Sequence, residues 1–356
     1  MSLVHFEIEQ TRFRHVSIRF RVVYQSGRGR LVPGDFDRPF GLPVGDAVPF
    51  KREVDVFVEG SAHPARTGDY ETTVRVRVGS IDRSARVFGE RHIVWHRGKL
   101  RIGAPLELEP TPLTAANAYG GAAGQRRYPR NPMGKGYVLD ESAAEGVVLP
   151  PIEDPDDLLD PERLVLPADQ WWILPRPVLF EPALVTSFPR VAFLGVVELP
   201  PYPTGDELPE VQAGDLPRGF ERPRSPLPAL AQEAERRMRL TELASGSDIV
   251  VDGCLPGGRS WRARTPPTLV ATLDVDGRSE VVEPRPQTVR LRPERDEVVV
   301  TYAVEQPLPR AFVPGLHARV PIAIDVLGER VAATSEEPVL PAVRRGGGVM
   351  PERSST

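Results

Sequence analysis

The sequence predicts a mainly β fold, in which N-terminal and C-terminal antiparallel β domains are joined by an irregular centre. Forty of the 356 residues are proline, and proline disrupts helix interiors and is confined to the edges of sheets. Apolar and polar residues alternate in several short segments, which is typical of strands with one buried face. The chain is 40% hydrophobic and 26% charged, as in globular proteins. We therefore expect a sandwich-like arrangement of short strands around a substantial core.

The N-terminal β domain is expected over residues 1–110. Val74, Val76 and Val78 share one face of a predicted strand, and Arg75 and Arg77 lie on the other. Strands of this kind are separated by turns that contain glycine. The predicted strands cover residues 16–22, 54–58, 74–78, 81–88, 92–95 and 100–108.

An irregular central region is expected over residues 111–227. It contains a glycine-rich segment near its start and a proline-rich stretch at 200–228, where eight prolines leave little room for regular pairing. Trp171 and Trp172 lie between these two segments and suit either core packing or contact with a partner.

The region from 228 to 335 is expected to hold one principal helix and a second β domain. The helix is predicted over residues 227–243, because Leu230, Ala231, Ala234 and Met238 fall on one helical face after Pro226. Strands are predicted at 249–251, 268–275, 288–291, 298–304 and 320–326, with a hairpin turn at 276–277. The tail at 336–356 is predicted to be disordered.

Charge and cysteine content narrow the function classes. The net charge is -4 with no basic stripe, so nucleic acid is not the expected partner. The N-terminus lacks the pattern of a secretory signal, no apolar run is long enough to span a membrane, and Cys254 is the single cysteine. We expect a cytoplasmic protein that does not associate with membranes and holds no cofactor or metal.

Residues 117–137 carry the most informative segment, NAYGGAAGQRRYPRNPMGKGY. Five glycines and two prolines accompany three tyrosines and four cations, which indicates an ordered loop built to hold one shape. The segment has no nucleophile and no set of metal ligands, so its composition favours binding over catalysis. The residues expected to contact a partner are Tyr119, Gly120, Gly121, Arg127, Tyr128, Asn131 and Lys135. Tyr119 is also compatible with a structural role as an anchor of the loop, and Asn131 with a structural role in shaping a turn.

Four other patterns in the sequence contain residue types that could support chemistry. His92 and His96 are four residues apart, but the apolar residues between them favour a strand, in which they lie too far apart to share a zinc ion. The glycines with Lys135 lack the phosphate-loop pattern. The acidic run at 153–157 fits no calcium loop and favours a solvated turn. Cys254 has no adjacent cation, which favours a packed thiol. No catalytic set is predicted.

Several segments resemble an uncharacterised bacterial family, the domain of unknown function twenty-one sixty-nine, which accompanies type VI secretion loci. The resemblance rests on AYGG at 118–121, RNPMGKGY at 130–137, KREVDVFVEGSAHP at 51–64, VFGER at 87–91 and LPPIEDP at 149–155. Residues 247–256 and 290–303 are similar more loosely. Tyr119 stands where the family usually has phenylalanine.

This resemblance implies a non-catalytic adaptor or chaperone. Its partner would be a secreted effector or a PAAR-type spike-tip protein, which the chain would help to load in a type VI secretion system. Two alternatives remain open. A β-rich hydrolase or carbohydrate-active enzyme would need two carboxylates that converge in a cleft. A structural component of the secretion machine would travel with the assembled particle.

Overall fold

The structure is a computed structural model, and it describes residues 3–7, 15–25, 30–33, 53–128, 130–167, 170, 173–181, 234–275, 277–307, 322–326 and 329–333. The predicted tail at 336–356, the two adjacent tryptophans and the whole proline-rich stretch at 200–228 lie outside these residues.

The described residues form twenty-four β-strands and short 3-10 helices, so the mainly β prediction is confirmed. The strands before the glycine-rich segment are β1 (Leu3–Glu7), β2 (His15–Gln25), β3 (Arg30–Pro33), β4 (Val54–Val58), β5 (Ser61–Ala62), β6 (Glu71–Val78), β7 (Ile81–Phe88), β8 (Ile93–His96), β9 (Lys99–Ile102) and β10 (Thr111–Pro112).

The central strands are very short. They are β11 (Tyr119–Gly120), β12 (Ala122–Ala123), β13 (Arg126–Arg127), β14 (Lys135–Gly136) and β15 (Ile152–Glu153). Those of the last part are β16 (Arg239–Leu240), β17 (Asp248–Leu255), β18 (Arg259–Arg264), β19 (Ala271–Val275), β20 (Arg278–Val282), β21 (Arg285–Arg292), β22 (Glu297–Pro307), β23 (Ile322–Val326) and β24 (Glu329–Ala333). The 3-10 helices span Ala115–Asn117, Glu141–Ala143, Pro161–Arg163, Arg236–Met238 and Pro293–Arg295.

Three larger sheets organise these strands. The seven-stranded sheet has the order β1-β2-β22-β21-β4-β16, with β3 also paired to β2. The five-stranded sheet has the order β15-β7-β6-β17-β18, and the four-stranded sheet has the order β20-β19-β23-β24. The predicted hairpin at 276–277 is confirmed, because β19 and β20 pair up to Val275 and Arg278 on either side of it.

Strands from the two ends of the chain pair with each other. β2 pairs along its whole length with β22, β6 pairs with β17, and β4 runs parallel to β21. The two β regions that the sequence predicts as separate domains therefore contribute to the same sheets. The alternation of apolar and polar residues in a short segment indicates a strand. It does not specify which distant strand pairs with that strand in the sheet.

One buried cluster joins the three larger sheets. It contains Val56 of β4, Val76 of β6, Val251 of β17, Leu273 of β19 and Val300 of β22, all nearly inaccessible to solvent. A core shared between sheets is what a sandwich-like arrangement requires.

The strand β4 differs from its predicted half-buried pattern, because all five of its residues are buried. It lies between β21 and β16, and its polar member, Asp55, accepts a hydrogen bond from the backbone N–H of Ala234 at 3.2 Å. Phe57 lies on the opposite face from the valines, and the centre of its ring is 5.1 Å from Cζ of the Arg290 guanidinium. Both faces of this strand are covered.

The principal helix predicted over 227–243 is wrong for residues 234–243, while 227–233 lie outside the described part of the chain. A single 3-10 turn (Arg236–Met238) is followed directly by β16. The helical spacing of Ala234 and Met238 instead reflects burial of both residues against the sheets. Hydrogen bonds and an ion pair to distant residues fix Ala234 and Glu235 and override the local preference for helix.

No helix among the described residues is long and apolar enough to cross a membrane.

Candidate functional site

The glycine loop, defined here as residues 118–137, is closed by its own backbone. Its two ends run side by side, since β11 pairs in parallel with β14, and a hairpin of β12 and β13 lies between them. The N–H of Tyr137 donates to the carbonyl of Gly120 at 2.9 Å, and the N–H of Lys135 donates to the carbonyl of Ala118 at 3.2 Å. The loop therefore has one defined backbone path.

Two adjacent glycines allow this path. Gly120 has φ of +147° and Gly121 has φ of +99°, a region that other residues rarely adopt. A Cβ on Gly120 would lie 2.1 Å from the carbonyl oxygen of Asn131, and one on Gly121 would lie 2.4 Å from that of Gly134. Glycine is required at both positions by backbone conformation and by the close approach of the backbone of Asn131 and Gly134.

The three tyrosines of the loop stack together inside the protein. The rings of Tyr119 and Tyr128 meet edge to face with centroids 5.2 Å apart, and Tyr128 and Tyr137 meet at 5.4 Å. They form the tyrosine core, a buried cluster that also includes Ile93, Leu149, Leu159, Leu164 and Leu174. The tyrosines thus anchor the loop to the segments on either side of it in the sequence.

Tyr128 also ties the loop to the segment that follows at 173–181. Its hydroxyl donates to the carbonyl of Pro175 at 3.0 Å and accepts from Nη1 of Arg130 at 3.2 Å. The same Arg130 nitrogen donates to the carbonyl of Leu174 at 3.1 Å. Loss of this side chain would disconnect two segments and leave a cavity.

Asn131 links several parts of the loop by hydrogen bonds and is only 2% exposed. Its Nδ2 donates to the carbonyls of Ala115 at 2.7 Å and Tyr119 at 3.1 Å. Its own carbonyl accepts from the N–H of Gly121 at 2.9 Å. Side chain and backbone together satisfy carbonyl and N–H groups that the irregular path leaves outside regular pairing.

The hydroxyl of Tyr119 is different, because it is buried and has no hydrogen-bond partner in the part of the chain that the structure describes. Burial, followed by the neighbouring rings of Tyr128 and Tyr137, raises the pKa of Tyr119 far above its ordinary value. This tyrosine is therefore neutral at neutral pH.

The outer side of the loop, its rim, consists of Arg126, Arg127, Met133 and Lys135. The two arginines are exposed, Lys135 is half-buried, and the Met133 side chain is 56% exposed. Arg127 reaches back with Nη1 to the carbonyl of Pro132 at 3.4 Å. The rim is cationic, with one apolar side chain among the charges.

The structure places most of the predicted contact residues inside the loop. Tyr119, Gly120, Gly121, Tyr128 and Asn131 are buried there and shape the loop. Arg127 and Lys135 are the two predicted residues that solvent reaches. An aromatic or amide side chain in a glycine-rich segment suits both packing within the loop and contact with a partner. Only the burial of the side chain distinguishes these two roles.

A buried network of ion pairs lies beside the loop. It was not predicted from the sequence. Arg83 donates from Nη1 to Asp154 at 2.9 Å, and its Nε lies 2.7 Å from Glu235. Arg91 pairs with Glu153, whose other oxygen accepts from the N–H of Leu159 at 2.8 Å. Both arginines come from β7 or the turn after it. Two of the three carboxylates come from the start of the acidic run, and the third, Glu235, directly precedes the 3-10 turn Arg236–Met238.

The expectation of a solvated turn at 153–157 is therefore wrong at its first two residues, Glu153 and Asp154. They are buried because β15 adds Glu153 to the edge of the five-stranded sheet, where β7 presents arginine. Burial raises the pKa of Glu235, and the facing Arg83 acts in the opposite direction. The signal available in the sequence was an apolar residue, Ile152, directly before adjacent carboxylates.

Cys254 and the two histidines behave as their sequence context predicts. Cys254 is a buried thiol, and burial raises its pKa to about 12, which keeps it protonated. His96 ends the strand β8, and His92 immediately precedes that strand. Among the described residues, no three or more histidine, cysteine, aspartate or glutamate side chains form a group that could hold a metal ion.

The fold and the loop define a mainly β protein in which a rigid, glycine-rich loop presents a cationic rim. Residues 38–303 match the family described as "uncharacterized protein conserved in bacteria" (DUF2169), and the chain belongs to this family. Neither a curated protein nor a solved structure matches the chain.

Proposed function

We propose that this protein is a non-catalytic cytoplasmic adaptor or chaperone. It binds a secreted effector or a PAAR-type spike-tip protein and helps to load that protein in a type VI secretion system. The choice of secretion system and cargo rests on the resemblance of residues 51–64, 118–137 and 149–155 to the family pattern.

The observation that carries the binding role is the rim of the glycine loop. Backbone hydrogen bonds, Asn131 and the tyrosine core hold the loop in one conformation, while Arg127, Met133 and Lys135 remain accessible. A surface that is ordered before association loses little entropy on binding. Arginine and methionine are also enriched at protein interfaces.

The test uses the full chain, tagged and expressed in its native bacterium. Co-purified proteins are identified by mass spectrometry from the wild type and from Arg127→Glu/Lys135→Glu. We expect one effector or PAAR-type protein with the wild type and its loss with the variant, at an unchanged melting temperature, because neither side chain supports the core. Arg259→Glu/Arg262→Glu in β18 is the matched control, since both arginines are exposed.

Recovery of the same partner with the rim variant would contradict a binding role for the rim. Recovery of neither protein class would contradict the proposed function. A structural component would co-sediment with the assembled particle in fixed stoichiometry, and this outcome would replace the adaptor proposal.

A further inference from the structure

The hairpin of β8 and β9 has one packed face and one free face. It forms a two-stranded sheet of its own, with Ile93 opposite Ile102 and Trp95 opposite Leu100. Ile93 is fully buried in the tyrosine core, and Leu100 and Ile102 pack against the same core. The hairpin is therefore fixed at its base by the core that also holds the glycine loop.

The tip and outer face are open to solvent. Residues 94–99 are all exposed, and within them Trp95 is 42% exposed and Val94 is 37% exposed. Tryptophan is over-represented among residues that dominate binding energy. Trp95 lies on the face that Ile93 and Leu100 share, and Val94 lies on the opposite face, so the hairpin leaves one partly exposed apolar side chain on each face.

The same hairpin carries three cations without ion pairs in the described part of the protein, namely Arg97, Lys99 and Arg101. In the five-stranded sheet, Arg259 and Arg262 of β18 are likewise exposed without ion pairs among the described residues, but three arginines of β6 and β7 are paired across strands. These pairs are Arg75 with Asp82, Arg77 with Asp252 and Arg86 with Glu71. The hairpin therefore holds a local excess of positive charge on a chain whose net charge is -4.

We propose that the β8–β9 hairpin docks an acidic segment of a protein partner. The segment crosses the tip of the hairpin, so that its carboxylates pair with Arg97, Lys99 and Arg101. Its apolar side chains contact Val94 on one face of the hairpin and Trp95 on the other. This inference rests on the proposed binding function and adds a second surface and the chemistry of the partner. A negatively charged chain with a small cationic patch favours an acidic protein over nucleic acid, which needs a more extensive basic surface.

The direct test is a titration of the full chain with a fluorescein-labelled peptide of alternating glutamate and leucine, followed by anisotropy at low salt. We expect saturable binding that weakens as salt rises. Lys99→Glu/Arg101→Glu and, separately, Trp95→Ala should each weaken binding by about tenfold or more. The matched control is Arg259→Glu/Arg262→Glu, which should change affinity by less than about twofold.

Absence of saturable binding by the wild type, or equal loss in the control variant, would overturn the inference. Tighter binding of single-stranded DNA than of the peptide, with the same dependence on Lys99 and Arg101, would also overturn it. Circular dichroism and melting curves of each variant separate loss of the surface from loss of the fold.

The co-purification assay separates the two proposals. If the hairpin variants recover the same partner as the wild type, the inference fails and the adaptor function stands. The wild type could instead recover no effector or PAAR-type protein but bind the acidic peptide through the hairpin. In that case the proposed function fails, and the hairpin is supported as a docking surface for acidic segments.

Discussion

The hydroxyl of Tyr119 is a single polar atom buried in a core of rings and leucines. A buried group without a partner costs about 1–3 kcal/mol, and the resemblance implies phenylalanine at this position. We predict that Tyr119→Phe raises the free energy of unfolding by about 1 kcal/mol. Urea denaturation followed by fluorescence would measure the change.

The matched variant is Tyr128→Phe, which removes a hydroxyl bonded to Pro175 and Arg130. It should lower the free energy of unfolding by about 1 kcal/mol. A loss of stability in Tyr119→Phe would show that its hydroxyl has a partner, and would contradict the structure at this point.

Glu59 supplies a pH-dependent contribution to stability. Its carboxylate lies 3.0 Å from Nη1 of Arg290 and 2.6 Å from Nε of Arg292. Burial alone would raise the pKa of Glu59, but the two arginines outweigh it and hold the pKa below the ordinary value of 4.5. The folded pKa is therefore below the unfolded one, so stabilisation is present above pH 4.5 and is lost as pH falls through the folded pKa.

We predict that Glu59→Gln lowers the free energy of unfolding by about 1 kcal/mol at neutral pH, a small value because solvent screens this half-exposed pair. The difference from wild type should shrink as the pH falls well below the unfolded pKa. Denaturation curves across the acid range would measure it, with the exposed Glu109→Gln as control. A difference that is constant with pH would contradict the ion-pair assignment.

At the scale of elements, the tip of the β8–β9 hairpin has a residue that suits its turn poorly. Arg97 has φ of +51° and Gly98 has φ of +75°, as in the two-residue turns that favour Asn-Gly. We predict that Arg97→Asn raises the free energy of unfolding by about 0.5 kcal/mol, because asparagine tolerates positive φ better. The same variant should bind the acidic peptide more weakly, because it loses one cation.

Denaturation and anisotropy on the same preparation measure both effects. Unchanged or tighter peptide binding would remove Arg97 from the docking surface, and lower stability would contradict the turn geometry. Arg66→Asn, at an exposed arginine away from the hairpin, controls for a general effect of charge.

Elements were predictable where their cause is local. The valines of β6 alternate as a half-buried strand requires, and the consecutive valines of β22 suit a strand that is buried on both faces. Both strands were expected from the sequence. The helix over 227–243 was wrong over its described part because its apolar spacing is not sufficient evidence. Glu235 and Ala234 are fixed by Arg83 and Asp55, which lie far away in the sequence.

The glycine loop shows the same limit, namely that contacts with distant residues are not visible in the local sequence. An ordered loop was predicted from its glycines, prolines and tyrosines, but its closed backbone path was not. The roles of Tyr128 and Asn131 were not predicted either, because the sequence does not show which carbonyl groups lie within reach. The exposed hairpin of Trp95 was expected as a strand, but its free face depends on tertiary packing.

At the scale of the whole molecule, the seven-stranded sheet needs both ends of the chain. The strand β2 pairs with β22, and β4 lies between β21 and β16. We predict that a fragment of residues 1–284, which lacks β21 and β22, does not reach the native fold. Limited proteolysis and amide NMR dispersion would test this against the full chain, and a protease-resistant, dispersed fragment would contradict it.

The pairing of distant strands also has a consequence for synthesis. When β2 leaves the ribosome its neighbour β22 has not been translated, and when β4 leaves it neither β21 nor β16 has been. One edge of β2 and both edges of β4 therefore stay unpaired for most of elongation. Sheets built from such non-local pairs fold slowly, and unpaired edges promote aggregation. The nascent chain is therefore most exposed to misassembly before residue 307 emerges, and its yield should depend on the general chaperones that protect incomplete sheets.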